Sequence, residues 1–234
     1  MLNSLIDPSR HRCVLFDVDG TIAETEGLAH LPAFNRALSE AGLPWQWSKD
    51  DYARLLKTAG GFERLLRFAE ETGSDPGALR NVLSGVHKAK NAHFAAIMAS
   101  GAVKPRAGFG DLVMTLARNG IAWGVVTTTS RSNWEALWLH SLAPLGLPVP
   151  VVIVVGEDVA AKKPDPEAYV MALERLGLPA AQCCAIEDSR NGLLAAQGAG
   201  LEVAIVRSEF FGGEAFDGAA VVIDELTELL ALAA

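Results

Sequence analysis

The sequence is poor in the features that mark secreted, membrane or nucleic-acid-binding chains. It has three cysteines in 234 residues, Cys13, Cys183 and Cys184. The count is odd and two are adjacent, so no disulfide framework is indicated. Each falls in a predicted buried strand and reads as a small apolar core residue in a reducing compartment. No His/Cys spacing suits zinc. No apolar run approaches the roughly 18 residues of a membrane span. The stretch Met1 to Pro8 has no charged region leading into a long apolar run, so no signal peptide is expected and a cytoplasmic location is. Positive charge is scarce: 20 Lys and Arg face 28 Asp and Glu, a net charge of −8. That balance argues against nonspecific binding to nucleic acid, and no membrane partner is expected. An anionic substrate would need a local basic patch. Repeats and low-complexity tracts are absent. Half of the chain is apolar, enough to build one large domain or a core with a smaller insert, and the protein is expected to act as a monomer.

What is present is organised around residues 12 to 21. Cys13 to Phe16 is a short apolar run that reads as a buried strand, and Asp17-Val18-Asp19-Gly20-Thr21 follows at once. Taken alone, two acids on a glycine turn are equally a solvated turn. Downstream, strand-like runs alternate with helical patterns. Ile121 to Thr127, Val151 to Val155, Cys183 to Glu187, Glu202 to Val206 and Ala220 to Ile223 are the strands. Ser130 or Ser132 caps a helix carrying Trp134, Leu137 and Trp138. Asp165 is the expected N-cap, with Pro166 at the first helical position, of a helix ended by Gly177. Ser189 caps another that runs through Gln197. Such alternation implies parallel strands joined by right-handed crossovers.

Residues 26 to 100 differ. Phe34, Ala37, Leu38 and Ala41 form one helical stripe, with Pro32 in its first turn or at a kink and Gly42 at its end. Tyr52, Leu55 and Leu56 form a second, stopped by Gly60-Gly61. Phe62, Leu65, Leu66 and Ala69 form a third, and Val86 to Met98 a fourth. The expectation is an all-helical insert at 26–100 in an α/β core of residues 1–25 and 101–234. Hinges are expected near Glu24 to Glu26 and Gly101 to Gly108. Trp45 and Trp47 are expected to pack within the insert, Trp123, Trp134 and Trp138 within the core, and Phe210-Phe211 locally.

Parallel strands share one C-terminal edge, where ligands of open α/β sheets bind. Each strand here ends in a polar residue: Asp17 and Asp19 after the first, Thr127 to Ser130 after the second, Lys162 and Lys163 after the third, Glu187 and Asp188 at the fourth. Singly, these fit helix caps, surface lysines and solvated turns. Together they have a chemical logic. Carboxylates without soft ligands favour a hard cation, Mg²⁺ above all. A carboxylate can attack phosphorus, a second can act as acid and then base, and a hydroxyl and a lysine can hold the transferring phosphoryl oxygens.

This arrangement resembles the haloacid dehalogenase (HAD) superfamily. Asp17-Val18-Asp19-Gly20-Thr21, Thr127, Lys163-Pro164 and Glu187-Asp188 are similar to its four motifs, in order. Glu24-Thr25-Glu26, His30, Asn35, Gly60-Gly61, Glu63-Arg64 and His87-Lys88-Ala89-Lys90 resemble the CbbY-like branch, which includes phosphatases acting on xylulose 1,5-bisphosphate. The resemblance implies a doubly wound, Rossmann-like parallel-sheet core with a helical C1-type cap, and a Mg²⁺-dependent phosphatase acting on a small sugar phosphate. It implies Asp17 as nucleophile and Asp19 as acid and base. Mg²⁺ would be held by the Asp17 carboxylate, the Asp19 carbonyl and Asp188, with Glu187 as an outer partner. Thr127 and Thr128 would bond the phosphoryl group, Lys163 would neutralise it, and the helix after Asn133 would point its N-terminus at it. Glu26, Gly60, Gly61, His87 and Lys90 would contact the substrate from the cap.

In one place the chain departs from that pattern: Phe62 follows Gly60-Gly61 where the branch usually has Lys. Phe brings neither charge nor donors, so a distal phosphate is expected to bind less well unless Arg64, Arg67 or Arg131 compensates. A phosphomutase of the β-phosphoglucomutase type and a receiver-like phospho-acceptor domain remain as alternatives. The length of the insert and the second acid, Asp19, count against the latter.

Overall fold

The structure, a computed structural model, describes residues 6–230. Six strands form one parallel sheet: β1 (Cys13–Phe16), β2 (Ala122–Val126), β3 (Ile153–Val154), β4 (Cys183–Glu187), β5 (Glu202–Val206) and β6 (Val221–Ile223), in the order β3-β2-β1-β4-β5-β6. All six expected strands form: β1, β4 and β5 with the expected bounds, and β2, β3 and β6 trimmed by a residue or two. The strand expected at Val151 to Val155 shrinks most, to two residues at the sheet edge, where a single neighbour holds it.

Side chains alternate along every strand. Val14, Phe16, Val125, Cys184, Ile186, Ala204 and Val206 enter one apolar cluster. Cys13, Leu15, Val126, Cys183, Ala185, Val203 and Ile205 enter another on the opposite face. Both faces are therefore covered, as a parallel sheet needs, by α5 (Phe109–Arg118), α6 (Arg131–Leu137), α7 (Glu167–Leu176), α8 (Arg190–Gly198) and the short α9 (Thr227–Leu230). Trp123, Trp134 and Trp138 pack together on the first of these faces, as expected.

Strand order reverses between β1 and β4: from β1 the chain proceeds to β2 and β3 on one side, and β4, β5 and β6 lie on the other. At such a switch point neighbouring loops diverge and leave a crevice at the carboxyl ends. Asp17 and Glu187 stand at its lip.

Between β1 and β2 lie a π-helical turn (Glu26–His30), α1 (Leu31–Glu40), α2 (Lys49–Leu55), α3 (Gly61–Glu71) and α4 (Pro76–Ala99). Phe34, Leu38, Trp47, Tyr52, Leu55, Leu65, Leu83 and Val86 give these helices a core of their own. Trp47 packs on Phe34, Tyr52 and Phe68, and Trp45 on Phe68.

Two expectations need correction. The fourth helix begins at Pro76, not Val86: Asp75 accepts the Gly77 N–H and Pro76 occupies the first turn, but Arg80, Asn81, Ser84 and Gly85 interrupt the apolar stripe that would have revealed it. Its far end, Phe94 and Met98, belongs to the sheet-side cluster. At α7 the N-cap position is Pro166 rather than Asp165, whose carboxylate still accepts the Glu167 N–H (2.9 Å). Ser130 and Ser189 cap α6 and α8. Among the described residues no helix is long and apolar enough to cross a membrane.

Candidate active site

The carboxyl ends of the strands and the facing helices enclose a cavity of about 200 Å³. At its floor, Asp17 is the first residue beyond β1, and its N–H still donates to Ile186 O, so the backbone is fixed by the sheet. Lys163 reaches in from the loop after β3. Its ammonium donates to Asp17 Oδ1 (2.7 Å), Val126 O (2.7 Å) and Glu187 Oε1 (2.5 Å). All three protons are thereby used. Burial opposes the Lys163 charge, but Asp17 and Glu187 prevail and raise its pKa well above the ordinary lysine value. Tyr169 of α7 also donates to Glu187 Oε1 (2.6 Å).

One lysine does not balance this group of acids. Asp17, Glu187 and Asp188 each offer a carboxylate oxygen within 4.8 Å of one another, and all three residues are buried. Burial pushes the Asp17 carboxyl up to about 8; Lys163 opposes this, and Glu187 and Asp19 add to it. Asp188 is pushed well up by burial and by the charges of Asp17 and Glu187. Among the described residues, Glu187 Oε2 and Asp188 Oδ2 have no hydrogen-bond partner. Buried carboxylate oxygens without partners are costly. A hard cation among these oxygens removes the cost, and the donor set fits one. The surrounding backbone leaves room only for glycine: a Cβ on Gly20, at φ 88°, would collide with Asp188 Oδ2, and one on Gly192 with Glu187 Oε2.

Asp19 lies apart from this trio. Its Oδ1 accepts from Thr25 Oγ1 (2.5 Å) and pairs with His30 Nε2 (3.0 Å). Burial works against its charge, but His30, Thr25 and Lys90 outweigh burial and hold it well below the usual carboxylate range. The His30 ring stacks on Phe94 with centroids 4.4 Å apart, which fixes its position.

At the end of β2, the cavity wall is Thr128, Thr129 and Ser130, not Thr127. The Thr127 hydroxyl lies behind them and accepts the Thr129 N–H (3.1 Å), keeping its own proton to donate. Asn133 is buried in the first turn of α6, a helix that begins at Arg131 rather than after it. Its Nδ2 donates to Thr129 Oγ1 (3.3 Å), and its Oδ1 has no partner among the described residues.

The helical layer supplies the opposite wall: Glu26, Gly60, Gly61, Phe62, Arg64, His87 and Lys90. Glu26 Oε2 accepts from the Tyr52 hydroxyl (2.5 Å) and Oε1 lies 3.7 Å from Arg64. Lys90 is 3 % exposed, with its ammonium over the rings of Phe34 (5.0 Å) and Phe94 (5.3 Å). Burial draws it down to about 7. Burial likewise draws His87 down to about 4, so it is neutral at physiological pH. Gly60, at φ 99°, is crowded by Glu63 and Lys162, whose side chains pair across the cleft (3.0 Å). Of the arginines considered for a distal anion, only Arg64 reaches the cavity wall. Arg67 pairs with Glu70 and Glu71, and Arg131 with Asp158.

Thr25 and His30 hold Asp19, and Tyr169 holds Glu187; none of the three has an expected role in the sequence. Thr25 and His30 follow Asp19 within one turn-and-helix segment and could have been found by that proximity. Tyr169 carries no local signal; only the packing of α7 against the sheet brings it to Glu187. The Phe210-Phe211 segment does not pack locally: Phe210 meets Tyr52 of α2 edge-on at 5.7 Å, and Phe211 lines the cavity.

A doubly wound parallel sheet, a helical insert after the first strand, and an aspartate, lysine and acid pair at the strand ends define a class of hydrolase. Residues 11–200 match the haloacid dehalogenase-like hydrolase family, and the chain belongs to it. Within the family it is 41% identical to Protein CbbY of Rhodobacter capsulatus over 216 residues, covering 92% of this chain and 94% of that protein. Its structure is similar to a mutant CbbY of Rhodobacter sphaeroides in complex with xylulose 1,5-bisphosphate. The TM-score is 0.86 at 41% identity, covering 93% of this chain and 96% of the other. A putative beta-phosphoglucomutase of Thermotoga maritima is similar at 27% identity and TM-score 0.69, covering 94% and 97%.

Proposed function

We propose that the protein is a Mg²⁺-dependent phosphatase that hydrolyses a small sugar phosphate through an aspartyl-phosphate on Asp17. The observation that carries this reading is Lys163, which bridges Asp17 and Glu187 beside two buried carboxylate oxygens without partners. Residues 26–100 act as the cap and the remainder as the core. The three cysteines are free and buried, which suits a cytoplasmic enzyme.

Mg²⁺ would be held by the carboxylates of Asp17 and Asp188 and the Asp19 carbonyl, with Glu187 as an outer partner, and would supply charge to neutralise phosphoryl oxygens. The Asp17 carboxylate attacks phosphorus and the ester bond to the sugar oxygen breaks. Asp19, turned away from Thr25 and His30 and carrying a proton, gives that proton to the leaving oxygen. Ionised again, it takes a proton from water as water attacks phosphorus, and Asp17 is released with inorganic phosphate. Lys163 holds Asp17 in line and offsets the charge of the transferring group. Thr128 and Asn133 bond its oxygens, and Thr127 holds that turn from behind. Glu26, Gly60, Gly61, His87 and Lys90 bind the sugar from the cap, which excludes water when closed.

A phosphate-release screen over sugar mono- and bisphosphates tests this. Stoichiometric release from at least one, abolished by chelation, is expected. Isomerisation of a hexose 1-phosphate without phosphate release would replace the reading with a phosphomutase.

A second test needs no substrate. Asp17 and Asp188 have folded pKa values above their unfolded ones, so the folded state holds more protons and its stability without metal falls as pH rises from about 4 through about 8. Mg²⁺ binds the deprotonated acids. The rise in Tm on adding Mg²⁺ is therefore expected to be larger at pH 8 than at pH 5. An equal rise at both would show that the ion binds elsewhere.

A further inference from the structure

We infer that Arg80, laid on the ring of Phe62, is the residue by which this chain selects substrates carrying a second anionic group. The inference rests on the sugar-phosphatase reading of the same site and names the selectivity of its outer end.

The helical insert has five arginines, and four are paired with carboxylates. Arg36 pairs with Glu40, Arg54 with Asp51 and Glu71, Arg64 with Glu26, and Arg67 with Glu70 and Glu71. Arg80 is the exception among the described residues: it makes no ion pair, and its guanidinium sits over the Phe62 ring at 5.4 Å. It is exposed, so its charge is available to a ligand.

Its place in the fold directs that charge. Phe62 lines the cavity and its ring lies 6.2 Å from His87. Arg80 and His87 are seven residues apart on α4, two helical turns and about 10 Å along the same face. Lys90, one turn further, reaches the inner wall. Arg80 therefore marks the outer end of a stripe whose inner end approaches the acids. The inner cation, Lys90, is enclosed by two rings and has Glu26 and Asp19 as electrostatic neighbours. Lys162 is paired with Glu63. His87 is uncharged at neutral pH. Arg80 does not itself line the cavity but borders it through Phe62. Among the described residues Lys57 and Lys88 are likewise exposed and unpaired, but Arg80 is the one seated on an aromatic residue of the wall.

A planar guanidinium resting on an aromatic face keeps its edge donors free, and that edge suits a phosphate. Phe62 is then a platform that holds a cation instead of being one. A ligand phosphorylated at both ends, with one group at Asp17, would present the other to this edge.

The test compares kcat/KM for xylulose 1,5-bisphosphate and xylulose 5-phosphate in wild type and Arg80→Ala. The ratio of the two is expected to fall about five- to tenfold in Arg80→Ala, through KM for the bisphosphate. Phe62→Leu, which removes the platform, should lower it too, and adding Phe62→Lys to Arg80→Ala should restore it. Arg67→Ala, an exposed paired arginine, should leave it unchanged. An unchanged ratio in Arg80→Ala, or a wild type that prefers the monophosphate, overturns the inference while leaving the phosphatase reading in place. If wild type hydrolyses neither sugar, neither is its substrate, and the phosphatase reading is decided by the wider screen. Calorimetric affinity for xylulose 1,5-bisphosphate then decides Arg80 separately: weaker binding in Arg80→Ala supports the role and equal binding refutes it.

Discussion

Asp17→Asn is expected to abolish phosphate release, lowering kcat by about 10⁴-fold or more, because an amide cannot form the acyl phosphate. The substitution keeps shape and size, and the Asp17 backbone is anchored to Ile186 by the sheet. It also removes one of three crowded acids, so the folded protein should be at least as stable as wild type near pH 8, where the Asp17 carboxylate charge is costly. Activity and denaturant stability measured on one preparation check both halves. Substantial turnover in a folded Asp17→Asn protein would assign the nucleophile elsewhere.

Lys163→Met is expected to cost about 10³-fold in kcat and, in contrast, to destabilise the fold. Lys163 is 5 % exposed, and its ammonium serves Asp17, Glu187 and Val126 O at once. Without it two buried carboxylates and a carbonyl lose their shared donor, a change typically worth several kcal/mol. The sign of the pH dependence follows. Lys163 lowers the Asp17 pKa, so its loss raises that pKa further. Stability should then fall over a wider span as pH rises from about 4, extending beyond the wild-type upper limit near 8. Urea unfolding at pH 5 and pH 8 measures this; a variant with wild-type stability at both would contradict the network. Lys163→Arg should not rescue activity, since a planar fork cannot address three acceptors placed around a point.

The two substitutions thus separate chemistry from structure. Asp17 is expected to be costly to the fold and needed for the reaction. Lys163 serves both.

Much of this site is legible in the chain. Asp17, Lys163, Glu187 and Asp188 come together because they end or follow strands of one parallel sheet, and parallel strands have a common carboxyl edge. The apolar runs that specify those strands are short, β-branched or cysteine-containing, and separated by helical stripes, so strand ends could be placed from the sequence. The cap was legible where its stripes were apolar and not where polar residues of α4 interrupted them, which hid the turn carrying Arg80.

Contacts across the fold were not legible in the same way. Thr127 occupies the expected strand end, yet its hydroxyl turns behind the wall to cap the Thr129 N–H, a choice made by local turn geometry. Glu187 was expected as an outer partner. It lies within the acidic trio because Lys163 and Tyr169 both hold its Oε1 and leave Oε2 exposed to its neighbours.

The sequence by itself determined the sheet, the order of its functional strand ends and the type of chemistry they support, because strand period, glycine turns and acid spacing are local properties. Tertiary structure alone decided which charges are spent and which remain open. Arg64 is tied to Glu26 and Lys162 to Glu63, whereas Arg80 rests on Phe62. Such pairings depend on which helix faces meet after folding, and residues far apart in the chain carry no mark of the partner they will find.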